Sequence, residues 1–155
     1  MPELTFYQLS DSPLERLLPV LVEKARERDW RVAIQGPIAA RLAFLDNQLW
    51  TYKDVSFLPH AVAGGAYDAI QPVLLGPVGP AANAAQMLIM VDGADQPAAN
   101  LEAYERVCVV FDGNDAQMLN AARSQWRTFT GAGMKANYWA REDGRWKQKA
   151  ASAGA

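Results

Sequence analysis

The chain has 155 residues, half of them apolar, and a formal net charge of -2. That length suits one domain with a sizeable core, and the near-neutral balance argues against general affinity for nucleic acid. No run approaches the about 18 apolar residues that a membrane span needs, and Met1-Pro2-Glu3-Leu4 lacks the basic start of a secretory signal, so a cytoplasmic protein without membrane contact is expected.

In chain order, Thr5-Phe6-Tyr7-Gln8-Leu9 reads as a short strand. Ser12 and Glu15 then stand three apart as a capping box, with Pro13 at the first helical position, where its missing N-H costs nothing. Leu14, Leu17, Leu18, Leu21, Val22 and Ala25 give the buried face of a helix ending near Arg28. Pro19 sits too deep for a first-turn proline, so a kink or a later start of the regular helix is expected. Arg31-Val32-Ala33-Ile34-Gln35 is the second strand, and Gly36-Pro37 turns the chain into a helix carrying Ile38, Leu42, Leu45 and Leu49.

This alternation predicts an α/β fold with parallel strands and right-handed crossovers. No G-x-G-x-x-G follows Leu9 and no G-x-x-x-x-G-K-[ST] occurs anywhere, so the usual backbone cradles for phosphate are missing.

Leu49-Trp50-Thr51-Tyr52-Lys53-Asp54-Val55-Ser56-Phe57-Leu58-Pro59-His60 concentrates three aromatics, a proline and the single histidine. Two readings fit: a partner surface built on aromatic anchors, or a loop whose aromatics tuck under the sheet. His60 has no second histidine and no cysteine cluster to share a metal, and no evident nucleophile to serve as base. No cofactor is therefore expected.

Residues 61–85 are rich in Ala, Gly and Pro and hold one apolar run, Val73-Leu74-Leu75, between loops marked by Gly64-Gly65, Gly76-Pro77 and Gly79-Pro80. Met87-Leu88-Ile89-Met90-Val91 is a buried strand, Asp92-Gly93-Ala94-Asp95-Gln96 leaves the sheet, and Leu101, Tyr104 and Glu105 make a short helical approach to the next strand.

That strand, Arg106-Val107-Cys108-Val109-Val110-Phe111, is continuously apolar after its first residue and contains the only cysteine, which excludes an internal disulfide. A helix should follow at once, because Asp112, Asn114 and Asp115 offer oxygens to its free N-H groups. Met118, Ala122, Trp126 and Phe129 then recur as one apolar stripe. At about 100° per residue, Arg123 and Arg127 fall one turn apart on a face flanking that stripe, with Trp126 at the border. The arrangement suits either solvated arginines beside a core tryptophan or a binding face.

Gly131-Ala132-Gly133 closes the helix, and Lys135-Ala136-Asn137-Tyr138-Trp139-Ala140-Arg141 and Gly144-Arg145-Trp146-Lys147 flank Glu142-Asp143-Gly144 as a hairpin. One domain over residues 1–149 is expected, with a disordered tail at 150–155.

Charge is divided unevenly along the chain, with 8 basic and 15 acidic residues up to Ala122 against 7 basic and 2 acidic from Arg123 onward. The C-terminal portion is the electropositive end, fit for an acidic peptide or a nucleic acid. Asp112 and Asp115 stand where α/β enzymes keep catalytic groups, although helix capping explains both. A nucleotide-binding hydrolase or transferase would use the crevice near Asp11, Gly36 and Asp112; a direct single-stranded DNA binder would stack bases on Trp126, Trp139 and Trp146 beside the basic end.

Taken in order, these pieces resemble the chi subunit of the bacterial DNA polymerase III holoenzyme, a clamp-loader accessory protein. The resemblance runs from Phe6-Tyr7-Gln8-Leu9 through Leu49-Trp50-Thr51-Tyr52 and Ser56-Phe57-Leu58-Pro59-His60 to Arg123, Trp126-Arg127 and Asn137-Tyr138-Trp139. It implies a single-domain, three-layer α/β sandwich with a mainly parallel sheet, similar to Rossmann-like nucleotide-binding folds but without the Gly-rich phosphate loop. It also implies a non-enzymatic replication adaptor with no cofactor. Such an adaptor binds the acidic C-terminal tail of single-stranded DNA-binding protein and joins the clamp loader through the psi subunit, so that its contact with DNA is mainly indirect.

By position, the resemblance assigns the tail site to Arg123, Trp126 and Arg127, with Phe129 beneath them. Lys135, just beyond the glycine turn, is expected to approach the same face. The psi-docking surface falls on Trp50, Phe57, Pro59 and His60. A further basic residue seen one turn earlier on this helix in some members has no counterpart, since Leu119 and Asn120 stand there.

Overall fold

The computed structural model describes residues 2–10, 13–51 and 60–152. Among these residues eight strands form one open sheet in the order β3-β4-β2-β5-β6-β1-β7-β8. They are β1 (Glu3–Leu9), β2 (Val32–Gln35), β3 (His60–Val62), β4 (Val73–Gly76), β5 (Met87–Met90), β6 (Arg106–Asp112), β7 (Ala136–Glu142) and β8 (Arg145–Ser152). Every neighbouring pair is parallel except β7 and β8. The α-helices among these residues are α1 (Leu14–Glu27), α2 (Ala39–Thr51), the single turn α3 (Ala98–Leu101) and α4 (Ala116–Gly131).

The central strands are apolar on both faces because each face carries its own core, as expected where helices cover both sides of a parallel sheet. Cys108 and Val110 of β6 join α1 and α2 through Leu18, Val22 and Leu45. Val107, Val109 and Phe111, pointing the other way, join Phe6, Leu101, Ala122 and Phe129. The three-layer sandwich expected from the sequence is the one observed. Burial pushes the Cys108 thiol up to about 12 and keeps it protonated inside the first core.

Several expectations are corrected. Helix α1 begins at Leu14, with Pro13 extended at the N-cap, so Pro13 is not the first helical residue; Ser12 lies outside the described residues. The helix is continuous from Leu14 through Pro19, which rules out the later start, one of the two alternatives expected there. Ile38 precedes α2 and is 49% exposed, so it does not join Leu42, Leu45 and Leu49 in the core.

The short strand β3, paired to β4 from His60 to Val62, was unforeseen. Residues Ala150 to Ser152, expected in a disordered tail, belong to β8 and pair with β7, where the backbone of a neighbour satisfies groups that no side chain identifies. The turn of this hairpin is Asp143-Gly144, both at positive φ (51° and 73°), the two-residue geometry that suits the twist of antiparallel strands.

Candidate functional site

Helix α4 is launched by its own sequence. Asp115 accepts hydrogen bonds from the Gln117 and Met118 N-H groups at 2.9 and 3.2 Å, and Asp112 accepts from the Asn114 N-H at 2.9 Å. The far end closes at Ala132, with Gly133 at φ 89°.

Along α4 the buried residues are Ala122, Gln125 and Phe129, while Met118 and Trp126 are half-buried against the same core. Gln125 interrupts the expected apolar stripe. Its amide donates to the Ala94 carbonyl at 2.9 Å and to Asp95 at 3.1 Å, fastening the segment after β5 to the helix.

Trp126 sits where the helix meets the sheet. Its ring stands edge-on to Phe6 (5.4 Å, 68°) and to Tyr138 (5.9 Å, 75°), and Phe6 and Tyr138 stack at 6.1 Å. The β1–β7 register sets Phe6 opposite Tyr138, so this cluster follows from strand pairing. The Tyr138 hydroxyl donates to Gln8, and burial raises its pKa while Arg123 works against that rise.

Arg123 and Arg127 are exposed on either side of this indole. Together with Gln8, Trp126, Tyr138, Lys149 and Ala150 they line a cavity of about 380 Å³. Among the described residues neither guanidinium has an acidic partner.

The structure therefore brings Arg123, Trp126 and Arg127 together. Phe129 is 1% exposed and lies in the core beneath them without lining the cavity. Lys135 is exposed just before β7 but is not among the lining residues; its carbonyl accepts from Leu4 in the sheet. Sequence reasoning missed Gln8, Tyr138 as part of the wall, and Lys149. Only pairing across the sheet brings them to this helix.

The second assigned surface is different. Trp50 lies in the last turn of α2, its side chain outside the description, and Phe57 and Pro59 fall outside the described residues. His60 is 4% exposed, its Nε2 lying 3.0 Å from the Asp46 carbonyl and 3.4 Å from the Asp46 carboxylate. It ties β3 to α2 from inside and does not present a docking face.

A second cavity, of about 490 Å³, opens at the strand ends beside Leu9, Arg41, Asp92, Asp112 and Asp115. Its charged groups are engaged within the chain: Arg41 pairs with Asp92 at 3.2 Å, and Asp112 and Asp115 hold the start of α4. Among the described residues no group of three His, Cys, Asp or Glu could hold a metal ion. Asp11 lies outside the described residues.

Two of the tryptophans offered for stacking of bases, Trp126 and Trp146, are also separated. Trp146 packs on the α1 and α2 side, edge-on to Tyr7, with the Arg141 guanidinium 5.8 Å from its ring centre, whereas Trp126 packs on the α4 side. They cannot form one stacking groove.

The family model described as DNA polymerase III chi subunit, HolC, matches residues 1–137. The chain belongs to the chi family. Its members are accessory subunits of DNA polymerase III, and the sequence resemblance is thereby borne out. No curated protein matches the chain. Within the chi-family match lie Gln8, Arg123, Trp126 and Arg127; Tyr138, Lys149 and Ala150, which complete the cavity, lie beyond it. Among the described residues no helix of this chi-family chain is long and apolar enough to cross a membrane.

Proposed function

We propose that this chi-family chain is a non-catalytic replication adaptor that grips the acidic C-terminal tail of single-stranded DNA-binding protein on the α4 face and couples it, through psi, to the clamp loader. The supporting observation is the cavity in which two exposed guanidiniums, without acidic partners among the described residues, flank a half-buried indole. A peptide end of this kind needs a cation for its carboxylate, an apolar wall for an aromatic side chain, and further positive charge for the acidic residues before it. Arg123 and Arg127 supply the first and last, and Trp126 with Tyr138 supplies the wall. Much of the attraction is between exposed charges, so binding falls as salt rises.

The link through psi is carried by family membership together with the aromatic segment that includes Trp50, Phe57 and Pro59. Contact with DNA is indirect in this reading.

Calorimetry with a short acidic peptide ending in Phe tests the tail site. Arg123→Ala is expected to weaken binding about tenfold, since a hydrogen bond to a charged group contributes roughly 1.5–3 kcal/mol and about 1.4 kcal/mol is a factor of ten. Amidating the peptide terminus should cost a similar factor. Binding indifferent to both changes would overturn the assignment.

A further inference from the structure

The wall of the cavity opposite α4 is built by an irregularity in the hairpin. Strands β7 and β8 pair Tyr138 with Ala150 but Trp139 with Gln148, so Lys149 is the extra, unpaired residue of a β-bulge. In regular pairing successive side chains alternate between faces, and one of Lys149 and Ala150 would point away from α4. A bulge removes that alternation locally and re-aims a side chain. Both Lys149 and Ala150 accordingly line the cavity beside Arg123 and Arg127.

Lys149 is the one cation of the cavity that already has a partner among the described residues. Its Nζ lies 2.5 Å from Glu142 Oε1, and Lys147 Nζ lies 3.7 Å from Glu142 Oε2. The hydrogen bond from Lys149 holds the Glu142 carboxyl below the ordinary carboxylate range, with Lys147 adding to the effect. All three side chains are 42–50% exposed, so moving Lys149 off Glu142 buries no charge. Glu142 would keep Lys147 as its counter-ion. The pair is therefore cheap to open, and what is released is an ammonium at the rim of an electropositive cavity.

We infer that the bulged strand β8 gives the peptide site a third cation, Lys149, which reads an acidic side chain near the peptide's C-terminus, and that Glu142 is a built-in competitor displaced by that side chain. This inference rests on the reading of the α4 face as a peptide site. It assigns a second carboxylate to a residue outside the family match, leaving the terminal carboxylate to the arginines.

The test is a set of calorimetric titrations of the full chain with two short acidic peptides ending in Phe, one of which has the Asp nearest the terminus replaced by Asn. For the unaltered protein the Asn peptide should bind about two- to fivefold more weakly, the range that an exposed charge pair supports. Lys149→Met should bind the Asp peptide about two- to fivefold more weakly and should no longer distinguish the two peptides, while remaining sensitive to amidation of the terminus. Glu142→Gln should tighten binding of the Asp peptide, and this gain should vanish when Lys149→Met is added. All positions are exposed, and unchanged melting of each variant would confirm that the fold is intact.

If amidation and Arg123→Ala still weaken binding but Lys149→Met and Glu142→Gln change nothing, the third cation is wrong and the peptide site stands. If the unaltered protein binds neither peptide, the site itself falls and the inference with it.

Discussion

Of the strand-end crevice and the α4 cavity, the larger is the less promising. The strand-end crevice of about 490 Å³ lies where open parallel sheets ordinarily hold ligands, yet Arg41 is paired with Asp92, and Asp112 and Asp115 are committed to N-H groups at the start of α4. The α4 cavity of about 380 Å³ is smaller, but its two arginines have no acidic partner among the described residues and its lysine has an exposed one. The difference teaches that the density of charge around a cavity says little until the partners of each group are traced. Groups already satisfied within the chain stabilise the fold, whereas unsatisfied ones are open to a ligand.

The largest expected effect comes from Trp126→Ala. It removes the wall of the smaller cavity and the edge-on contacts to Phe6 and Tyr138. Peptide affinity should fall tenfold or more, on the scale of roughly 2 kcal/mol typical of interface anchors. Because the ring is only half-buried, the loss in urea-melt stability should be about 2 kcal/mol, below the roughly 3–5 kcal/mol of a fully buried aromatic. A variant that kept full affinity would dissolve the contrast between the two cavities, since the indole distinguishes the α4 face from any basic surface.

Next in size is Gly113→Ala, which sits between the two regions. A Cβ at Gly113 would lie 2.4 Å from Gln8 Cγ and 2.7 Å from Gln8 Nε2, too close to be accommodated without moving that side chain. Gln8 is the acceptor of the Tyr138 hydroxyl and lines the α4 cavity, so a change in the turn beneath the crevice is transmitted to the peptide face. Overpacking of this kind costs about 1–3 kcal/mol. The variant should lose stability by that amount and also bind peptide more weakly. An affinity unchanged at the peptide site would mean that Gln8 moves without disturbing Tyr138 and that the two regions are independent.

How far these regions could be read from sequence depends on the range of the interactions that make them. The strand β6 and the start of α4 were legible because both signals are local: a run of β-branched residues, then side-chain oxygens two and three residues ahead of the N-H groups they cap. Trp126 at the border of Arg123 and Arg127 was legible from helical geometry. Gln125 was not, because a polar residue in a buried stripe makes sense only once Ala94 and Asp95 are known to face it.

Lys149 was hidden for a similar reason. Its aim depends on a bulge, and a bulge is a property of two paired strands, not of either sequence. The small residues Ala150 and Ala151 look like tail until β7 provides their hydrogen-bonding partner, and the density of aromatics around His60 did not show that the histidine itself points inward to Asp46.

Asp115→Ala should have the smallest effect and the most one-sided one. Removing this N-cap takes away the acceptor for the Gln117 and Met118 N-H groups and should cost about 1 kcal/mol in a urea melt, within the roughly 0.5–2 kcal/mol seen for such caps. The same substitution deletes a negative charge, which by Coulomb attraction alone would favour an anionic peptide. Arg123 lies two helical turns further on, roughly 12 Å along the axis at about 1.5 Å per residue, which exceeds the screening length of about 8 Å at physiological salt. Peptide affinity should therefore stay within about 1.5-fold of the unaltered protein at physiological salt and drift upward only as salt is lowered. A loss of affinity comparable to that of Arg123→Ala would place the ligand at the crevice after all, and the charges there would have to serve binding as well as the helix.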